Sequence, residues 1–144
     1  MLRRIKTVKV KFTIPGEPKG KGRHRTTKNG LSYTPEDTVV YENLVKTVYY
    51  QQCGRSRFED TAQLDIRITA YFPIPKSVSK KKRDAMLAHQ IRPIVKSDWD
   101  NIGKVVCDAL NNIAYHDDKQ VVDGQVRKFY SDNPRVVVTI QEAT

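Results

Sequence analysis

Asp98 and Asp100 flank Trp99, Lys104 follows within the same segment, and Asp117-Asp118 stand a short way downstream. Two to four carboxylates held together without a cation repel one another, and their pKa values rise. A hard divalent cation removes that cost. Mg²⁺ takes oxygen ligands, keeps several waters and typically bridges protein carboxylates to a substrate phosphate. Such a set supports in-line displacement at phosphorus, in which two metals roughly 3.5–4 Å apart activate a water and stabilise the leaving oxygen. A nearby lysine stabilises the charge that develops on the phosphate.

Each of these residues also has a plainer reading. Asp98 alone reads as a helix cap, Asp117-Asp118 as turn chemistry, and Lys104 as the i+4 partner of Asp100, worth about 0.2–0.5 kcal/mol. Trp99 alone reads as a packing anchor. A helix has one N-cap, however, and capping leaves the second Asp of the pair unexplained. The joint occurrence of these groups between residues 96 and 118 favours a site.

The elements that position them follow from periodicity. A helix runs from about Asp98–Asp100 to Asn112, with Ile102, Val105, Val106, Ala109, Leu110 and Ile113 on one broad apolar arc. Asp100, Lys104, Cys107 and Asn111 fall on the opposite side, and Asp108 lies toward the flank. If Asp98 is still extended, it points to the same side as Asp100, with Cα atoms roughly 6.5–7 Å apart. Asp117 and Asp118 come back beside the start of this helix if the next strand pairs near it.

Upstream, residues 6–14 alternate as a strand ending at Pro15. Residues 15–30 form a Gly-, Pro- and basic-rich loop, with or without a short ribbon at its end. Its glycines allow close approach and leave the loop mobile. Thr34-Pro35-Glu36-Asp37 starts a first helix with Thr34 as cap, carrying Val40, Leu44, Val45 and Val48 on one stripe and stopping near Cys53-Gly54. Ala62–Phe72 is a half-buried strand, closed by Pro73 and Pro75. Ser77 or Ser79 caps a second helix through about His89, with Lys80, Lys81, Lys82 and Arg83 in its first turn. Ile91–Ser97 reads as extended. Gln120–Phe129 and Arg135–Gln141 read as strands joined by the turn Ser131-Asp132-Asn133-Pro134. The expected fold is α+β, a mixed or antiparallel sheet with helices mainly on one face, in a single domain spanning 1–144.

Composition sets the setting. The chain has 144 residues, 38% hydrophobic and 29% charged, with a mean hydropathy of −0.61. It has enough apolar content for a core and no run of about 18 apolar residues for a membrane span. Lys plus Arg number 26 against 16 Asp plus Glu, a net charge of +10. That excess favours a polyanionic partner, nucleic acid above all. Cys53 and Cys107 form no CxxC pair and read as reduced thiols, and the basic N-terminus alternates rather than forming a signal core, so a cytoplasmic location is expected. His24 and His116 read as surface or turn residues, and His89 has no assignment.

The run Asp98-x-Asp100-Asn101-x-x-Lys104, followed by Asp108-Ala109-Leu110 and then Asp117-Asp118-x-Gln120-Val121-Val122, resembles the RusA-type Holliday junction resolvases, a family often carried by phages and prophages. The first strand, the loop with Gly22-Arg23-His24-Arg25 and the first helix fit its layout with weaker motifs. Ser97 stands where many members have Pro, and Gly103 interrupts the helix. The resemblance implies a homodimeric endodeoxyribonuclease of recombination and repair. Such an enzyme nicks four-way DNA junctions symmetrically with Mg²⁺, or Mn²⁺ in its place, and needs no other cofactor. It implies catalytic roles for Asp98, Asp100, Asp118 and Lys104, and metal binding by Asp98, Asp100 and Asp118 with Asp117 secondary. Lys19, Lys21, Arg23, Arg25 and Lys28 are candidate contacts to the DNA backbone. Lys76, Lys80, Lys81 and Lys82 form a second patch, and Lys96 joins the set. A nuclease for flaps or forks, or a non-catalytic nucleic-acid-binding module, are the other readings.

Overall fold

A computed structural model describes residues 6–23 and 25–144; Met1–Ile5 and His24 lie outside the described residues. The chain runs β1 (Lys9–Pro15), β2 (Arg25–Thr26), β3 (Ser32–Tyr33), α1 (Glu36–Cys53), β4 (Leu64–Pro73), α2 (Lys80–Leu87), α3 (Trp99–Ala109), a 3-10 turn (Asp118–Gln120), β5 (Val121–Ser131) and β6 (Arg135–Glu142). β2 and β3 form a two-residue ribbon at the end of the basic loop.

The main sheet is mixed, in the order β1-β6-β4-β5. β6 pairs antiparallel with β1 and β4, while β5 lies parallel to β4 on the other side. The turn 132–134 therefore does not close a hairpin. It carries the chain past the end of β4, which sits between the two strands it joins. The alternation of β4 buries Leu64, Ile66, Ile68, Ala70 and Phe72, and β1 and β6 bury Val10, Phe12, Ile14, Val136, Val138 and Ile140 beside them. α1 packs on β1, α3 packs on β5, and the two helices touch each other, so the expected α+β layering is present.

α3 buries Ile102, Val105, Val106 and Ala109, the arc expected from its wheel. α1 differs from expectation. Thr34 does not cap it; Pro35 holds the N-cap position with no side-chain bond. The face it buries is Thr38, Tyr41, Val45, Val48 and Tyr49, and Val40 is exposed. Tyr49 turns its ring edge to Phe12, with centroids 5.2 Å apart, and donates its hydroxyl to the Ser56 carbonyl. Two tyrosines thus take core positions that an aliphatic stripe had suggested for Val40 and Leu44. α2 is capped by Ser79, whose Oγ accepts from the Lys82 N–H, and ends two residues earlier than expected. No described helix is long and apolar enough to cross a membrane.

Candidate active site

Asp98 occupies the N-cap position of α3 in extended conformation (φ −67°, ψ 150°), as the carboxylate-pair reading requires. Its side chain makes no capping bond, so capping does not account for it. Asp100 lies in the first turn, with Oδ1 accepting from the Asn101 N–H at 3.0 Å. Both residues are exposed, and Trp99 between them is 63% exposed, so it is a surface aromatic and not a packing anchor. Lys104 is exposed one turn on and, among the described residues, has no ion-pair partner; the expected pairing with Asp100 does not form.

Asp117 and Asp118 sit at the other end of the helix. Asp118 donates its N–H to Oδ1 of Asn111, just past the C-terminus of α3. The fixture is Gln120, which is buried: its Oε1 accepts from the N–H groups of His116 and Asp117, and its Nε2 donates to the carbonyls of Glu59 and Ala62. Tyr115 donates its hydroxyl to the Cys107 carbonyl at 2.7 Å and ties the same turn to α3. Asp117 is the cap of the 3-10 turn, and the Lys119 N–H it accepts lowers its pKa. Burial, with hydrogen bonding to Asp117 and the charges of Asp108 and Asp117, raises that of Asp118. Burial also pushes the Cys107 thiol up to about 11.

The expectation that Asp117 and Asp118 return beside the start of the helix is therefore corrected. An 11-residue helix is about 16 Å long. Asp98 and Asp100 sit at one end of it, and Asp118, with Asp108, at the other. Among the described residues, no group of three or more His, Cys, Asp or Glu side chains is gathered to hold a metal ion. The donor chemistry suits a hard cation, being all carboxylate, but one chain divides it into two sets.

The basic loop is pinned to this helix. The Lys21 N–H donates to the Asn101 carbonyl at 2.9 Å, and the Gly22 N–H to Oγ1 of Thr38 on α1 at 3.0 Å. Lys21 Nζ lies 2.8 Å from Glu42 Oε1 and 3.3 Å from Asp108 Oδ2, with the lysine side chain 13% exposed. Burial opposes its charge, but Glu42 and Asp108 outweigh that and hold its pKa above the ordinary value. Lys21 is thus an internal strut, not the free backbone contact expected from its place in the basic loop. A side-chain carbon at Gly20 would stand 2.8 Å from Cβ of Ser97, and one at Gly22 would stand 2.6 Å from Oγ1 of Thr38, so these two glycines serve the expected close approach.

A cleft of about 250 Å³ opens where the loop meets the helix, lined by Lys21, Gly22, Arg23, Asn101 and Lys104. A larger groove of about 760 Å³ is lined by Lys19 and Arg25 together with Tyr33, Pro35, Val40 and Leu44. The smaller cleft is the better candidate, since it holds Lys104 and adjoins Asp100 through Asn101. Lys19, Arg25 and Lys28 are exposed in the loop and its ribbon, and Lys76, Lys80, Lys81, Lys82 and Lys96 are exposed beyond it.

One neighbour of the acids went unnoticed in sequence. Lys128 on β5 donates to the Val95 carbonyl at 2.7 Å. Burial lowers its pKa, and the charge of Asp98 works the other way, so the ammonium stands within electrostatic reach of that carboxylate. Its signal was a lysine between Val126 and Tyr130, at an inward position of a strand.

Comparison with known proteins bears on this arrangement. A family model described as Endodeoxyribonuclease RusA matches residues 15–141. A Bacillus subtilis (strain 168) protein described as "Uncharacterized protein YqaN" is 40% identical over 140 residues, covering 94% of this chain and 97% of that protein. With the paired acids, the cleft lysine and the α+β fold in place, the match over most of the chain shows that this protein belongs to the RusA endodeoxyribonuclease family.

Proposed function

We propose that the protein is a divalent-metal-dependent endonuclease that resolves four-way DNA junctions by paired nicks, acting as a homodimer in the cytoplasm. The observation that carries this reading is the uncapped Asp98 and Asp100 pair at the start of α3, beside a cleft lined by Lys104 and Arg23 in a protein of net charge +10. Neither a side-chain cap at Asp98 nor an ion pair of Asp98 or Asp100 among the described residues accounts for the pair, which leaves both carboxylates open to a cation.

Asp98, Asp100 and Asp118 would hold the metal, with Asp117 secondary. A divalent ion there supplies Lewis acidity toward the phosphate and lowers the pKa of a water. Lys104 meets the developing phosphate charge from the cleft. Asn111 and Gln120 hold the turn that carries Asp118. Arg23, Arg25, Lys19 and Lys28 engage the backbone, with Lys76, Lys80, Lys81, Lys82 and Lys96 as outer contacts. Because one chain keeps its acids at two ends of a helix, an ion that uses both sets needs a second protomer to complete it. Paired nicking in opposed strands needs two protomers as well.

The test is cleavage of a labelled four-way junction by the purified protein, set against a fork, a flap and a linear duplex. Symmetric nicks in the junction with Mg²⁺, and intact DNA with EDTA, support the reading. Equal cutting of forks and flaps assigns a broader branched-DNA nuclease. Binding without metal-dependent cutting of any substrate overturns the catalytic reading.

A further inference from the structure

The sheet face opposite the core carries an array of arginines that the site above does not use. Arg135, Tyr71 and Phe129 are register partners across β6, β4 and β5, so their side chains share that face. The Tyr71 and Phe129 rings stack with centroids 6.1 Å apart. The Arg135 guanidinium lies 4.0 Å from the Tyr71 centroid. Arg92 and Arg127 both lie on Phe129, at 4.3 and 4.9 Å. His89 completes the surround, its ring centroid 4.4 Å from that of Phe129.

Three like charges gathered on two rings repel, and among the described residues no carboxylate is paired with them. The nearby Asp132 is taken by Arg83, and Asp65 by Arg67. Yet two of them are tied to the backbone, while Arg127 is held, among the described residues, by its ring contact alone. Arg92 Nε donates to the Lys128 carbonyl at 2.9 Å, and Arg135 Nη1 to the Asn133 carbonyl at 2.9 Å and to Oγ of Ser131. Their remaining N–H groups are left to an outside acceptor. A guanidinium held over a ring has already lost much of its rotamer freedom, and its fork matches the oxygens of a phosphate. A second copy docked through this same corner would bring the same positive charge to it, so charge complementarity favours a polyanion. Arg92 also stands in the segment that leads to Asp98, and Lys128 joins that segment to β5.

We propose that Arg92, Arg127 and Arg135, laid on Phe129 and Tyr71, bind the phosphodiester backbone of a DNA arm next to the one being cut. This rests on the DNA-cleaving reading above and adds a surface to it, since the candidate contacts there lie in the basic loop, near α2 and at Lys96.

The experiment measures equilibrium binding of a four-way junction against salt in EDTA for wild type and for Arg92→Gln, Arg127→Gln, Arg135→Gln and Arg127→Lys, with folding checked by circular dichroism. Each Gln variant is expected to weaken binding roughly three- to tenfold and to reduce the log–log salt slope by about one. Arg127→Lys is expected to keep the slope, which a merely structural lid over Phe129 would not require. Wild-type affinity and slope in all three Gln variants would overturn the proposal and leave the nuclease reading standing. A changed sedimentation state with unchanged DNA affinity would also overturn it, assigning the corner to a second copy. Wild-type protein that binds no DNA at low salt would overturn both.

Discussion

Lys21 places its ammonium 3.3 Å from Oδ2 of Asp108, bridging the basic loop to α3, while the same nitrogen holds Glu42 of α1 at 2.8 Å. One side chain thus fastens three segments of the candidate site together. Lys21→Met should lower stability by about 1–3 kcal/mol, since it leaves two half-buried carboxylates without their donor. The pH dependence follows from the sign of the shift. The folded pKa lies above the ordinary 10.5, so the bridge contributes fully below that value and is lost as pH rises through the folded one. Denaturant melts of wild type and variant should differ fully at pH 7, and the difference should begin to shrink only above pH 10.5.

Gly20→Ala should be costly although the backbone there is ordinary. The added carbon meets Cβ of Ser97 at 2.8 Å and Cβ of Asn101 at 3.0 Å, neither of which is the end of a flexible chain. The loop must move off α3, at a cost of about 1–3 kcal/mol. A thermal melt and a cleavage assay check this, with both Tm and rate expected to fall.

Asn111→Ala removes the acceptor for the Asp118 N–H without touching the carboxylate. Loss of an outer partner of this kind should lower the single-turnover rate about 10- to 100-fold, with junction affinity unchanged. Lys104→Ala, which removes charge from the cleft itself, should cost about 10²- to 10³-fold at saturating protein.

The placement of Asp98 and Asp118 at opposite ends of α3 makes a prediction about mixtures. If each site takes acids from two protomers, an equimolar mixture of Asp98→Asn and Asp118→Asn proteins contains heterodimers with one intact acid set. Single nicks should then reappear, where each variant alone is inactive. Continued silence, with subunit exchange confirmed by sedimentation of differently tagged chains, would place all the acids in one chain.

Much of the layout was legible in local pattern. Strict alternation over Leu64–Phe72 marked β4 and its buried face, and the apolar arc of α3 placed Asp100 and Lys104 on the outer side. The buried face of α1 was legible only in part: Val45 and Val48 are buried as expected, but Val39, Val40 and Leu44 also stand around the helix and two tyrosines decide which face turns inward. The position of Asp118 was hidden for a different reason. It depends on Gln120 reaching the carbonyls of Glu59 and Ala62, contacts about 60 residues away that leave no periodic trace. The strut at Lys21 was hidden likewise: in sequence it is one lysine among several, and only the approach of α1 and α3 makes it internal.

The most direct measurement is single-turnover cleavage of a four-way junction by Asp98→Asn and Asp118→Asn, each at a protein concentration shown to saturate binding. Affinity should be retained, because it comes from lysine and arginine contacts to phosphate, while Mg²⁺-dependent nicking should vanish in both. Nicking at the wild-type rate by either variant would contradict the assignment of these carboxylates to the chemistry.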